Sequence, residues 1–129
     1  MPTLPPPATN ILMLPLVKCT AQVGTNEDWL DGFAFFVDDE ETEEIDLSGI
    51  YFEMEMRAVP PDPSVAVRAS STEGTLNVAG HTLSINVPAA TMAHVPPGDY
   101  VFDIIAKAEG RQRIIVQGTA MVVFQGITR

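Results

Sequence analysis

The chain holds a single cysteine, Cys19, among its 129 residues, so it has no internal disulfide. It is also short of positive charge. Seven Lys and Arg face seventeen Asp and Glu, leaving a formal charge of −10. A field of that sign repels phosphate backbones, which excludes nucleic acid as a partner. No run approaches the roughly 18 apolar residues of a membrane helix, which excludes a membrane partner as well. The segment from Ile11 to Cys19 looks briefly like a secretory or lipoprotein signal. It fails because no Lys or Arg precedes it, Pro15 interrupts it and Lys18 stands beside the cysteine.

Catalytic motifs are equally scarce. There is no G-x-S-x-G and no glycine-rich phosphate loop, since the glycines fall singly between segments. His81 and His94 lie thirteen residues apart with no cysteine companions, a spacing that fits no zinc motif. Both read as surface histidines. Glu53 and Glu55 resemble a glycosidase acid and base only in composition. They share an outward strand face, where solvent keeps carboxylates ordinary. Cys19 reads as a small buried thiol. No catalytic, cofactor or metal-binding residue is assigned, and the chain reads as non-enzymatic.

What is present is strand patterning. In residues 50–57, Ile50, Phe52, Met54 and Met56 share one side of an extended chain. Tyr51, Glu53, Glu55 and Arg57 share the other. Leu83, Ile85 and Val87 repeat this against Thr82, Ser84 and Asn86, with turns at Gly74 and Gly80. Residues 28–37 predict an aromatic strand with Trp29, Phe33 and Phe35 on one face. Segments 12–22 and 64–71 predict two further strands.

Glu109-Gly110 predicts a tight hairpin between YVFDIIAKA and RQRIIVQGTAMVVF. Its second arm carries Ile114, Val116, Gly118, Ala120, Val122 and Phe124 on one apolar face. Between Pro88 and Pro96 at most two helical turns fit. Seven or eight strands with almost no helix point to an all-β antiparallel sandwich or small barrel. Residues 1–10, with four prolines, read as a flexible arm, and 11–129 as one β domain.

The run from Asp38 to Asp46 places seven carboxylates in nine positions. Alternate residues of an extended chain lie about 7 Å apart, and each pair of charges repels by roughly 0.6 kcal/mol in water. A solvated surface loop tolerates this and a buried one does not. Calcium is the rival occupant, but the run lacks the turn glycine and spacing of an EF-hand loop. An aromatic platform for glycans is not assembled either. Of the nine aromatics, Trp29, Phe33, Phe35, Phe52, Phe102 and Phe124 fall on core faces, and Tyr51 alone points outward.

Several short motifs recur in a fixed order. They are Asp46-Leu47-Ser48-Gly49 entering a strand that ends at Arg57, then Thr82-Leu83-Ser84-Ile85, then Pro97-Gly98-Asp99-Tyr100-Val101-Phe102-Asp103. Gly110, Gly118-Thr119 and the terminal Ile127-Thr128-Arg129 complete the set. In these residues the chain resembles a family of small phage and prophage tail and baseplate proteins. The pattern is similar to the immunoglobulin-like N-terminal domain of baseplate upper proteins.

The resemblance implies an immunoglobulin-like β-sandwich and a virion structural protein assembled in the bacterial cytoplasm. It implies docking onto tail, baseplate or neck proteins through protein–protein contacts, in several copies as a possible homo-oligomer. The alternative role is a ligand-binding module, for glycans or calcium, used in host attachment.

Overall fold

A computed structural model of the chain describes residues 14–37, 43–59 and 64–123. Its strands are β1 (Val17–Gly24), β2 (Trp29–Ala34), β3 (Tyr51–Ala58), β4 (Val67–Ser70), β5 (Leu76–Ala79), β6 (Thr82–Val87), β7 (Gly98–Ala108) and β8 (Arg111–Val123). One helical turn, α1 (Ala89–Met92), links β6 to β7. The arm at residues 1–10 and Phe124 lie outside the described residues.

The strands form two sheets. One has the order β1-β8-β7-β3-β4 and the other β2-β6-β5. Alternation decides which side chains lie between them. In β3, Phe52, Met54 and Met56 are buried while Tyr51, Glu53, Glu55 and Arg57 are half-exposed, as the period of two predicts. Leu83, Ile85 and Val87 of β6 face them from the smaller sheet, each about 1 % exposed or less.

Consecutive strands cross between sheets, as from β2 to β3, in the manner of an immunoglobulin-like sandwich. A second hallmark sits at the start of β7. The Tyr100 hydroxyl donates to the Pro96 carbonyl at 2.6 Å, pinning the α1–β7 corner to the strand that follows it. In antibody domains a disulfide joins the two sheets two residues past that tyrosine. Here Phe102 holds the position and meets Trp29 of β2 edge to face, with ring centroids 5.2 Å apart and planes at 89°. Such a contact is worth about 0.5–1.5 kcal/mol beyond the area it buries.

Phe102 pairs in register with Gly118 of β8. A Cβ at Gly118 would lie 2.5 Å from two atoms of the Phe102 ring and 3.0 Å from Cys19 Sγ. The glycine is therefore the floor on which the ring rests.

The structure departs from the sequence expectations in four places. β1 runs parallel to β8, so the larger sheet is mixed and not wholly antiparallel. The aromatic strand is shorter than 28–37. Past Ala34 the chain leaves β6, and Phe36 bridges to Glu44 instead. The apolar face of β8 loses Ile114. The register slips between the Ile104–Val116 and Ile105–Ile114 pairs, making Ile115 the extra residue of a bulge. Ile115 is fully buried and Ile114 turns outward at 41 % exposed. Phe33 is half-buried at the rim, not wholly interior.

The hairpin at Glu109-Gly110 forms as expected. Both residues take positive φ, 50° and 81°, the backbone of a type I′ turn that matches the twist of β7 and β8. α1 is a single turn because Pro88 and Pro96 bound its segment. Its first N–H, at Ala89, donates to Asp28 Oδ1 at 2.7 Å, a cap from the β1–β2 connection.

Three substitutions test this packing. Gly118→Ala forces the Phe102 ring off its seat and lowers unfolding free energy by about 1–3 kcal/mol in urea titration. Gly32→Ala meets nothing nearer than 3.9 Å and stays neutral or gains up to about 1 kcal/mol. Tyr100→Phe removes the corner hydrogen bond and costs about 1 kcal/mol by the same assay.

Candidate functional site

The outer face of the five-stranded sheet divides into a charged half and an apolar half. The charged half lies on β3, β4 and the end of β7. Lys107 Nζ donates to Glu53 Oε1 at 2.8 Å. Arg57 Nη2 lies 2.9 Å from Glu55 Oε1 and Arg68 Nη2 lies 3.5 Å from Glu55 Oε2. Arg68 stands directly opposite Glu55 in register, and Lys107 is diagonal to Glu53. Every member of this network is half-exposed or more, so water competes for each pair and the face is held in shape more than it is stabilised.

The apolar half lies where β7 begins and β3 and β8 end. Val59, Val101 and Met121 are 49 %, 42 % and 48 % exposed and border a shallow groove of ≈ 620 Å³. Thr20 and Gln22 of β1, Thr119 of β8 and Asp99 of β7 complete its lining. Alternation sends these residues outward because Tyr100, Ala120 and Val122 point into the core. Single exposed apolar residues are ordinary on a protein surface. Here three of them converge on one concavity. The sequence held a signal for this in the Asp-Val-Asp alternation at 99, 101 and 103, but only strand pairing brings Val59 and Met121 beside it.

The described residues on either side of the acidic run pair with each other between β2 and β3, Phe36 bridging antiparallel to Glu44. Val37 N–H donates to the Glu43 carbonyl at 2.7 Å and Ile45 N–H to the Phe35 carbonyl at 3.0 Å. Residues 38–42 lie outside the described residues. Glu43, Glu44 and Asp46 are exposed, while Ile45 and Leu47 in the same stretch are buried in the core. Asp46 Oδ1 accepts the Ser48 N–H at 3.0 Å, turning the chain into β3. The Ser48 amide, and then its hydroxyl, hold the Asp46 carboxyl below its ordinary range.

Among the described residues, no three His, Cys, Asp or Glu side chains gather in a way that would hold a metal ion. None of the described helices is long and apolar enough to cross a membrane.

Three residues differ from their sequence readings. His81 is not a plain surface residue. Its ring packs 5.0 Å from Phe36 and its Nδ1 lies 3.5 Å from Glu44 Oε1, so it joins the two flanks of the acidic run. Cys19 is half-buried on β1, an edge strand of the larger sheet. Partial burial, with the negative Asp31 nearby, pushes its thiol up and away from thiolate reactivity. Glu53 is not an ordinary carboxyl, because the Lys107 hydrogen bond holds it below its usual range. His94 is exposed as expected, and Tyr51 is half-exposed on the charged face.

No family model matches the chain, and no curated protein matches it. Among solved structures it is similar to extracellular domains 3–5 of Drosophila OTK, at 16 % identity and a TM-score of 0.32. The match covers 89 % of this chain and 36 % of that one, so the chain spans about a third of the structure it matches. A likeness at that score carries no argument. The immunoglobulin-like class rests on the strand order and the tyrosine corner.

The Glu53–Lys107 pair gives a pH dependence of definite sign. A carboxyl depressed in the folded state contributes stability above its unfolded value, about 4.3, and loses it as pH falls through the folded value. Glu53→Gln therefore destabilises the protein at neutral pH, and the gap to wild type closes below about pH 4. Paired urea titrations at pH 7 and pH 3 measure it.

Proposed function

We propose that this chain is a non-enzymatic docking module of a phage or prophage particle, binding tail, baseplate or neck proteins through protein–protein contacts. The observation that carries the docking role is the groove bordered by Val59, Val101 and Met121 on the five-stranded sheet. It is mostly apolar and open. Its shape suits a laid-on protein segment better than an enclosed substrate. The particle assignment is supported by the ordered motifs at Asp46–Gly49, Thr82–Ile85 and Pro97–Asp103, which resemble phage and prophage tail and baseplate proteins. A strongly negative chain of this kind associates with neighbours that supply basic groups.

A second reading, a calcium- or glycan-binding module for host attachment, is favoured by one observation. Glu43, Glu44 and Asp46 stand exposed between β2 and β3. Calorimetry with calcium and a glycan array separate the two, since micromolar binding to either supports the attachment module.

The decisive test of the main reading is particle fractionation. Intact particles are sedimented, washed in high salt and analysed by mass spectrometry. The chain is expected in the particle fraction at a fixed ratio to tail proteins. Its complete absence there overturns the assignment.

A further inference from the structure

The groove has a feature that the docking role alone does not explain, an acid at its centre. Strand pairing orders the outer face into two cross-strand rows. Val59 N–H donates to the Asp99 carbonyl at 3.0 Å, Asp99 pairs with Met121, and Met121 with Gln22. In the next row Arg57 pairs with Val101, Val101 with Thr119, and Thr119 with Thr20. Asp99 is thus flanked by Val59 and Met121 across the strands and by Val101 two residues along its own strand.

Asp99 is an exposed carboxylate bordered by three exposed apolar side chains. A partner that covers the apolar residues also takes water from the carboxylate, which then needs a counter-ion. The chain does not supply one from its described residues. Arg57, the cation in the adjoining row, is turned to Glu55 at 2.9 Å, and Lys107 is held by Glu53 at 2.8 Å. Among the described residues Asp99 makes no ion pair.

We propose that Asp99, with Val59, Val101 and Met121 around it, receives a single Arg or Lys side chain flanked by apolar residues from a partner protein. The aliphatic stem of that side chain packs on the valines and methionine while its head reaches the carboxylate. Arginine fits better than lysine, because its guanidinium is weakly hydrated and grips a carboxylate with two donors.

The chemistry selects against other occupants. A second copy placed face to face about a two-fold axis brings Asp99 against Asp99, between molecules that each carry −10. Nucleic acid is repelled by the same field. The overall negative charge steers a basic partner toward the molecule, and the apolar ring decides where it stops.

This inference rests on the docking reading and names the chemistry of the partner. Its test does not require a particle. A random dodecapeptide library displayed on a carrier is panned against the full chain, and synthetic winners are titrated by fluorescence anisotropy. The expected winners carry Arg or Lys between apolar residues. They lose at least about tenfold in affinity on Asp99→Asn. They keep it on Glu73→Gln, which removes an equal charge from the β4–β5 turn. Asp99 and Glu73 are both exposed, and unchanged thermal midpoints in the two variants confirm an intact fold.

Failure to enrich any basic consensus overturns the inference, as do winners that bind Asp99→Asn as tightly as wild type. If the chain sediments with particles while the winners ignore Asp99, only this inference falls. If Asp99-dependent winners emerge and particles lack the chain, only the particle assignment falls.

Discussion

The two sheets are joined at their centre by the edge of one aromatic ring against the face of another. Trp29 and Phe102 meet across the interior at the place where antibody domains carry a disulfide. The consequence is sequence-wide. A covalent bridge tolerates a loose fit around it, whereas a ring contact holds only while its neighbours fix the ring. Gly118 supplies the floor beneath Phe102, and Asp31 Oδ2 accepts the Trp29 indole N–H at 2.8 Å. With one cysteine in the chain, the relative placement of the sheets depends on packing of this kind.

The same residues explain how the sandwich edges are kept from pairing with one another. Asp31 lies on the side of β2 that carries Trp29 and Phe33, so an edge strand presents a charge where an intruding strand would bury its side chains. β4 and β5 are edges of only four residues each. β1 is longer, with Lys18 as its only charge, and the half-buried Cys19 sits there. The outer faces differ more than the edges do. The larger sheet carries an ion-pair network at one end and an apolar groove at the other, while the smaller shows Leu30, Gly32, Ser84 and Asn77.

Alternation in the sequence revealed the strands and their inward faces, because a period of two is a local property. The β3 pattern and the β6 pattern appear in the structure side chain for side chain. The Glu109-Gly110 turn was equally legible, since positive φ leaves a compositional mark. Neighbour relations were not. The parallel pairing of β1 with β8, the Asp28 cap on α1 and the Trp29–Phe102 contact each join residues far apart in the chain. The bulge at Ile115 shifted an outwardly regular apolar face by one residue, and no local signal marks the slip. The groove was hidden for the same reason. Val59, Asp99 and Met121 are unremarkable singly and acquire meaning only as one row.

The central claim is that the sandwich presents to a protein partner the part of its larger sheet where β7 begins and β8 ends. Methionine oxidation footprinting tests it directly, because the described methionines divide cleanly. Met121 is 48 % exposed, and Met54, Met56 and Met92 are 1 % or less. Under brief peroxide treatment the free chain is expected to oxidise at Met121 while those three stay intact, and Met121 becomes protected once the chain is bound in the assembled particle. Oxidation of Met121 at the same rate free and bound contradicts the account.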